Sequence, residues 1–168
     1  MRVFVTVGLE RKPYERLLQA VDEAAGKGWI PADTLVQSGH NKFLFQHCKA
    51  VPFLSFDKLQ ESVHAADLVI AHGGVGSVLM ALEQRKIPLV LPRRADLGEH
   101  VDNHQIEFVK RMEEEGRVMA AYDTRELHRV LESGEWLHRS MEMDCHEPEI
   151  IGKLRFILQN CKKEKGSQ

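Results

Sequence analysis

Short β-branched runs with nearly all-apolar interiors alternate along this chain with amphipathic helical stretches, and that alternation is the strongest constraint on its fold. "RVFVTVG" reads as a buried strand, and Tyr14 to Ala25 follows as a helix with Leu17, Leu18, Val21 and Ala25 on one side. "TLVQSGH" is a second strand. "PFLSFDKLQESVHAAD" gives a turn and a helix that turns Leu59, Val63 and Ala66 inward, while Phe53 and Phe56 read as core or staple residues. "LVIAH" is the third strand, Val75 to Arg85 its helix, and "IPLVLPR" the fourth strand, opened by Ile87 and closed by Pro92. A long helix from about Glu99 to Glu115, the strand "RVMAA", a helix from Thr124 to about Ser133 and a C-terminal helix from about Pro148 to Asn160 complete the pattern. Strands this apolar, each followed by a helix, require a parallel sheet covered on both faces. The expectation is a single Rossmann-like α/β domain over residues 1–162, with residues 163–168 a solvated tail.

Composition narrows the partners. The 168 residues are 43% hydrophobic, enough for one core, and the net charge of −2 supplies no field that would attract nucleic acid. Cys48, Cys145 and Cys161 are odd in number and form no CxxC pair, the pattern of reduced thiols. No apolar run approaches the ~20 residues of a membrane-spanning helix, and "MRVFVTVGLE" enters a strand directly, so a cytoplasmic protein is expected.

In such sheets ligands sit beyond the carboxyl ends of the strands. Two polar segments fall there. In "AHGGVGSVLMALE", Gly73, Gly74 and Gly76 allow a tight turn and a close approach to backbone N–H groups, and the start of the helix containing Ser77 would favour an anion such as a diphosphate. The same glycines would also serve close packing of strand against helix, and both readings stand. His72 is a possible donor to the anion or a structural histidine. In "LPRRADLGEHVDNHQ", Arg93, Glu99, His100, Asp102, Asn103, His104 and Gln105 gather side chains suited to sugar hydroxyls or phosphates, or simply cap a solvated helix. His100 and His104, four apart, could share a helix face as a metal pair, but the glutamate of HExxH is missing, and no metal site is expected. "TVG" ending at Gly8 and "SGH" at Ser38 to His40 add small or polar strand ends, and "VPFLSFDKL" could offer Phe53 or the backbone around Leu54 to a flat base.

The blocks "FVTVG", "QSGH", "PFLSFDKLQESVHAADLVIAHGGVGSVLMAL", "PLVLPR" and "GEHVDNHQIEFV" resemble the C-terminal domain of glycosyltransferase family 28. The likeness is to the stand-alone subunits of two-component enzymes: those of bacterial exopolysaccharide and capsule synthesis, and the catalytic subunit of the eukaryotic enzyme that adds N-acetylglucosamine to a dolichol-linked acceptor. The resemblance implies the C-terminal half of a GT-B glycosyltransferase acting by inversion, with no cofactor beyond the UDP-sugar donor. It implies that Gly8, Phe53, Leu54, His72, Gly73, Gly74, Gly76, Ser77 and Glu83 meet the nucleotide and diphosphate. Arg93, Glu99, His100, Asp102, Asn103, His104 and Gln105 would then face the donor sugar. It also implies a membrane-anchored partner subunit that binds the lipid-linked acceptor and holds this chain at the inner face of the membrane.

Departures from the family pattern are specific. Met80 stands where a ribose-holding glutamate is usual, with Glu83 one turn further on; "RKIP" replaces "GKP" at Arg85 to Pro88; Leu9 follows Gly8 where threonine is common. His40, His72 and His100 are conceivable bases, with His72 and His100 the leading catalytic candidates. An exposed apolar patch for the partner is expected on the C-terminal helix, around Ile150, Ile151, Leu154, Phe156, Ile157 and Leu158. Two other readings are a complete small nucleotide-sugar enzyme such as an epimerase, and a non-catalytic partner-binding homologue that has lost nucleotide binding.

Overall fold

In the computed structural model, which describes residues 1–138, six strands form one parallel sheet in the order β3-β2-β1-β4-β5-β6. Along the chain these are β1 (Val3–Thr6), β2 (Leu35–Gln37), β3 (Lys49–Val51), β4 (Leu68–Ala71), β5 (Leu89–Val90) and β6 (Met119–Ala120). Between them run α1 (Glu15–Gly26), α2 (Phe56–Ala65), α3 (Val75–Glu83), α4 (His104–Glu114) and α5 (Thr124–Ser133), with a 3₁₀ turn at Glu135–His138. This is the doubly wound order, and its direction reverses between β1 and β4.

The apolar strands alternate their side chains between two helical layers. Val3, Val5, Leu68, Ile70 and Leu89 pack with α1 and α5 on one face, through Leu17, Leu18, Val21, Leu127 and Leu131. Phe4, Val69, Ala71 and Val90 point the other way, onto α2, α3 and α4 through Val63, Ala81, Val78, Leu82, Val109 and Met112. β1 and β4 are buried along their whole length, as expected of central strands in a sheet covered twice.

Three expectations change. β3 is a sixth strand that the sequence did not announce; it lies at the sheet edge, where Lys49 and Ala50 are exposed and no apolar signal is needed. The helix expected from Glu99 begins at His104, because Gly98 adopts φ +72° and residues 95–103 form turns. Phe53 and Phe56, expected as core or staple residues, are 44% and 48% exposed, which leaves only the staple reading or, for Phe53, contact with a flat base. Arg85, where the family pattern has glycine, takes φ +57° just beyond α3, alone in that region among the described non-glycine residues. The expected C-terminal helix, its apolar patch, the tail, Cys145 and Cys161 lie outside the described residues.

Candidate functional site

The carboxyl ends of all six strands open on one edge, and the β1–β4 reversal point lies at its centre. One imidazole fills that point. His72, next after β4, is 7% exposed, with Nδ1 3.3 Å from the Thr6 carbonyl oxygen. A Cβ at Gly8 would come within 2.5 Å of its ring, and a Cβ at Gly74 within 2.3 Å of Nε2. The Cε1–Nε2 edge of the ring is therefore hemmed in by two glycines from different strand ends. Burial, reinforced by the nearby Arg93 guanidinium, pushes its pKa down to about 4, so the ring is neutral near pH 7. With Nδ1–H donating to Thr6, Nε2 is left as an acceptor.

The glycines of "AHGGVGS" thus differ in their surroundings. Gly74 makes room for His72. Gly73 has φ +86°, and a Cβ there would press Pro92 and Val109 at 3.2 Å. Gly76 differs from both: a Cβ there would meet nothing within 4 Å. Gly76 lies in the first turn of α3, whose N-cap, Gly74, supplies no side-chain hydrogen bond. Among the described residues no acceptor meets the N–H groups of Val75 and Gly76, both exposed residues, which leaves a bare helix start with its dipole facing the edge. The packing constraint predicted for the glycines thus falls on Gly73 and Gly74, and Gly76 is free of it.

To one side lies an aromatic and amide rim. Phe53 meets the His40 ring edge-on at 4.9 Å, and the Leu54 N–H donates to Gln37 Oε1 at 3.3 Å. Gln37, 3% exposed, also donates to Thr6 Oγ1 and so ties this loop to β1, a role that a lone polar residue in "TLVQSGH" does not signal. Met80 packs on the α2–α3 cluster beside Leu54 and Leu59. Glu83 is exposed at the far end of α3, ~12 Å along the axis from Val75 at the usual helical rise.

To the other side, the loops after β1 and β5 are laced together. Arg93 and Glu99, expected to face a sugar, are 0% and 6% exposed and serve the fold instead. The Arg93 guanidinium donates to the carbonyls of Val7, Lys12, Pro13 and Glu99 and lies 4.4 Å from the Tyr14 ring centroid. Glu99 takes a two-pronged bond from Arg16 at 2.8 and 2.9 Å and the Arg94 N–H at 2.9 Å. Neither side chain has reach left for a ligand. Lys12 Nζ donates to the His100 carbonyl at 2.9 Å.

His100, Asp102, Asn103, His104 and Gln105 do collect on this rim. His100 Nδ1 is 3.1 Å from Asp102 Oδ1, and its Nε2 is 4.0 Å from Glu10 Oε2. Asp102 also accepts the His104 N–H, the main influence holding its carboxyl below the usual range. Asn103 Oδ1 accepts from Ala95 N, and Gln105 Oε1 from Arg93 N. The side chain of His104 is 80% exposed. His100 precedes α4, so the two histidines do not share a helix face as a metal pair would; among the described residues no group of three or more potential ligands is placed to hold a metal ion.

Comparison with known proteins follows this geometry. The family model "Glycosyltransferase family 28 C-terminal domain" matches residues 2–142. The human and mouse proteins named "UDP-N-acetylglucosamine transferase subunit ALG13" are each 44% identical over 62 residues, which is 37% of this chain and 5% of theirs. Among solved structures, the glycosyltransferase of kitacinnamycin superposes with a TM-score of 0.58 at 14% identity, covering 82% of this chain and 35% of that one. The calicheamicin glycosyltransferase CalG4 gives 0.56 at 16% identity, covering 79% and 34%. The match spans about a twentieth of the curated relatives and about a third of the solved chains, and these last likenesses establish a shared fold.

Proposed function

The chain belongs to the glycosyltransferase family 28 C-terminal domain family, and on that premise we propose that it is the donor-binding catalytic subunit of a two-component, inverting glycosyltransferase using a UDP-sugar. The observation that carries this is the bare start of α3 at the sheet reversal point, where Gly76 faces open space and the Val75 and Gly76 N–H groups have no described acceptor.

In this reading the diphosphate lies over Val75, Gly76 and Ser77, held by amides and the helix dipole. The uracil lies along Phe53 and Leu54, beside Met80. The donor sugar faces Asp102, Asn103, His104 and Gln105. As the bond from the anomeric carbon to the diphosphate breaks, negative charge grows on the leaving UDP, and the fixed N–H groups at the start of α3 stabilise it without reorganising. The acceptor hydroxyl needs a base and a second wall to hold it in line. His100, oriented by Asp102, is the candidate base within this chain; His72 is walled in by two glycines.

That second wall would come from a membrane-anchored partner carrying the lipid-linked acceptor; among the described residues no helix is long and apolar enough to cross a membrane. The name "subunit" borne by the human and mouse relatives supports this arrangement. Synthesis of an exopolysaccharide or glycolipid is the setting that fits. Residues 1–162 would act as one donor domain with a short tail, and no cofactor is required.

Met80 favours a second reading, a partner-binding homologue without nucleotide affinity, because it puts a thioether in an apolar cluster where a carboxylate would hold ribose. Calorimetry decides between them: the chain should bind UDP, and should bind UMP more weakly because the helix start then meets one phosphate fewer. Absence of UDP binding at millimolar ligand would overturn the donor-site reading.

A further inference from the structure

One fully buried cation lies outside the residues assigned to the donor. Arg93 is fully buried, forms no ion pair among the described residues, and has a buried Nε without an acceptor. A guanidinium removed from water without a carboxylate is costly, and an apolar residue of similar volume would fill the same space at less cost. What the arginine does there is mechanical. Nη2 donates to the Val7 carbonyl at 3.1 Å; Nη1 donates to Lys12, Pro13 and Glu99 at 3.0, 3.5 and 3.1 Å. These carbonyls belong to the end of β1, the β1–α1 loop and the β5–α4 loop. The Tyr14 ring, whose hydroxyl donates to the Leu91 carbonyl, closes over the guanidinium.

We propose that Arg93 is a positioning residue of the donor site: one planar fork clamps the β1–α1 loop to the β5–α4 loop, and so fixes Gly8 against His72 and sets the sugar-facing rim at a constant distance from α3. The inference rests on the donor reading above and names the part that holds its two sides in register. Lysine cannot replace it. An ammonium has three donors at one point, whereas the four carbonyls are met by two separate nitrogens of the guanidinium, Nη1 on three of them and Nη2 on the fourth. The charge has a second effect, because it stands close enough to His72 to oppose protonation of that ring.

The test uses the full chain with Arg93→Lys and Arg93→Met. Lys keeps the charge and loses the fork; Met loses both, and if Met does not fold, Lys alone still tests the clamp. Three quantities are read: amide hydrogen exchange, the His72 titration midpoint by NMR, and UDP affinity by calorimetry. Both variants should accelerate exchange by at least about tenfold in residues 7–13 and 94–103 while leaving β3 and α2 at parental rates. Only Met should raise the His72 midpoint. Both should weaken UDP by about tenfold. Unchanged loop exchange, acceleration spread evenly over the sheet, or loosened loops with parental UDP affinity would each overturn the proposal. A parental chain that ignores UDP defeats the donor reading and with it the role at that site, while the exchange and titration arms still decide whether the clamp exists.

Discussion

Two glycine-to-alanine changes two residues apart should act in opposite directions on stability. At Gly76 the new methyl enters open space in the first turn of α3, so the variant gains helix propensity, about 0.5–1 kcal/mol. At Gly74 the backbone accepts alanine readily, with φ −69°, but the methyl carbon would stand 2.3 Å from His72 Nε2 and 3.0 Å from Cε1. The ring has little room to retreat, because the Gly8 backbone abuts the same ring edge and the Thr6 carbonyl holds Nδ1. Overpacking of that kind costs about 1–3 kcal/mol, so the two variants should differ by about 1.5–4 kcal/mol. Urea unfolding at neutral pH measures the difference through the transition midpoints at constant slope. UDP calorimetry supplies the second axis. Gly76→Ala should be more stable than the parent yet bind UDP about tenfold more weakly, since its methyl occupies the proposed phosphate position. A Gly74→Ala chain as stable as the parent would refute the wedge. Parental UDP affinity in Gly76→Ala would refute the phosphate assignment. Adding His72→Ala to Gly74→Ala should recover part of the loss, a coupling that a double-mutant cycle reads directly.

Two further outcomes follow from the same coordinates. His72 binds its proton less readily folded, at about 4, than unfolded, near 6.5, so its contribution is fully present above pH 6.5 and is lost as the pH falls towards 4. Urea midpoints across that window should show about 3 kcal/mol of loss that disappears in His72→Asn. Arg85 takes φ +57° where glycine would be unstrained, so Arg85→Gly should stabilise the fold by about 0.5–1 kcal/mol after the greater unfolded-state freedom of glycine is allowed for, read as a raised melting temperature; a lower melting temperature would show that the arginine side chain contributes more than its backbone costs.

Much of the sheet was readable because β1 and β4 write burial directly into "VFVT" and "LVIA". β3 was not, because an edge strand needs only backbone pairing, and Lys49–Val51 pairs with Leu35–Gln37 without an apolar signature. Site residues divide in the same way. The position of α3 followed from periodicity and the glycines before it, but which glycine served packing depended on where one ring from β4 came to rest. Arg93 was misread for a physical reason: its acceptors are backbone carbonyls, which every sequence possesses, so a buried clamp and a sugar-facing arginine have the same letter in the same polar loop. Glu99 was misread through Arg16, a partner 83 positions away.

The wedge of His72 between Gly8 and Gly74 also limits the order in which a lineage could change these positions. They lie 66 residues apart, yet any side chain at either glycine collides with the same ring. A descendant can therefore acquire alanine at position 74 only after the imidazole has gone, whereas the reverse order passes through a destabilised intermediate. Position 8 is not released even then, because its φ of +73° continues to favour glycine. Among homologues, a residue other than histidine at 72 should thus accompany variation at 74 and leave glycine at 8, an asymmetric signature that aligned sequences would display without any structure in hand.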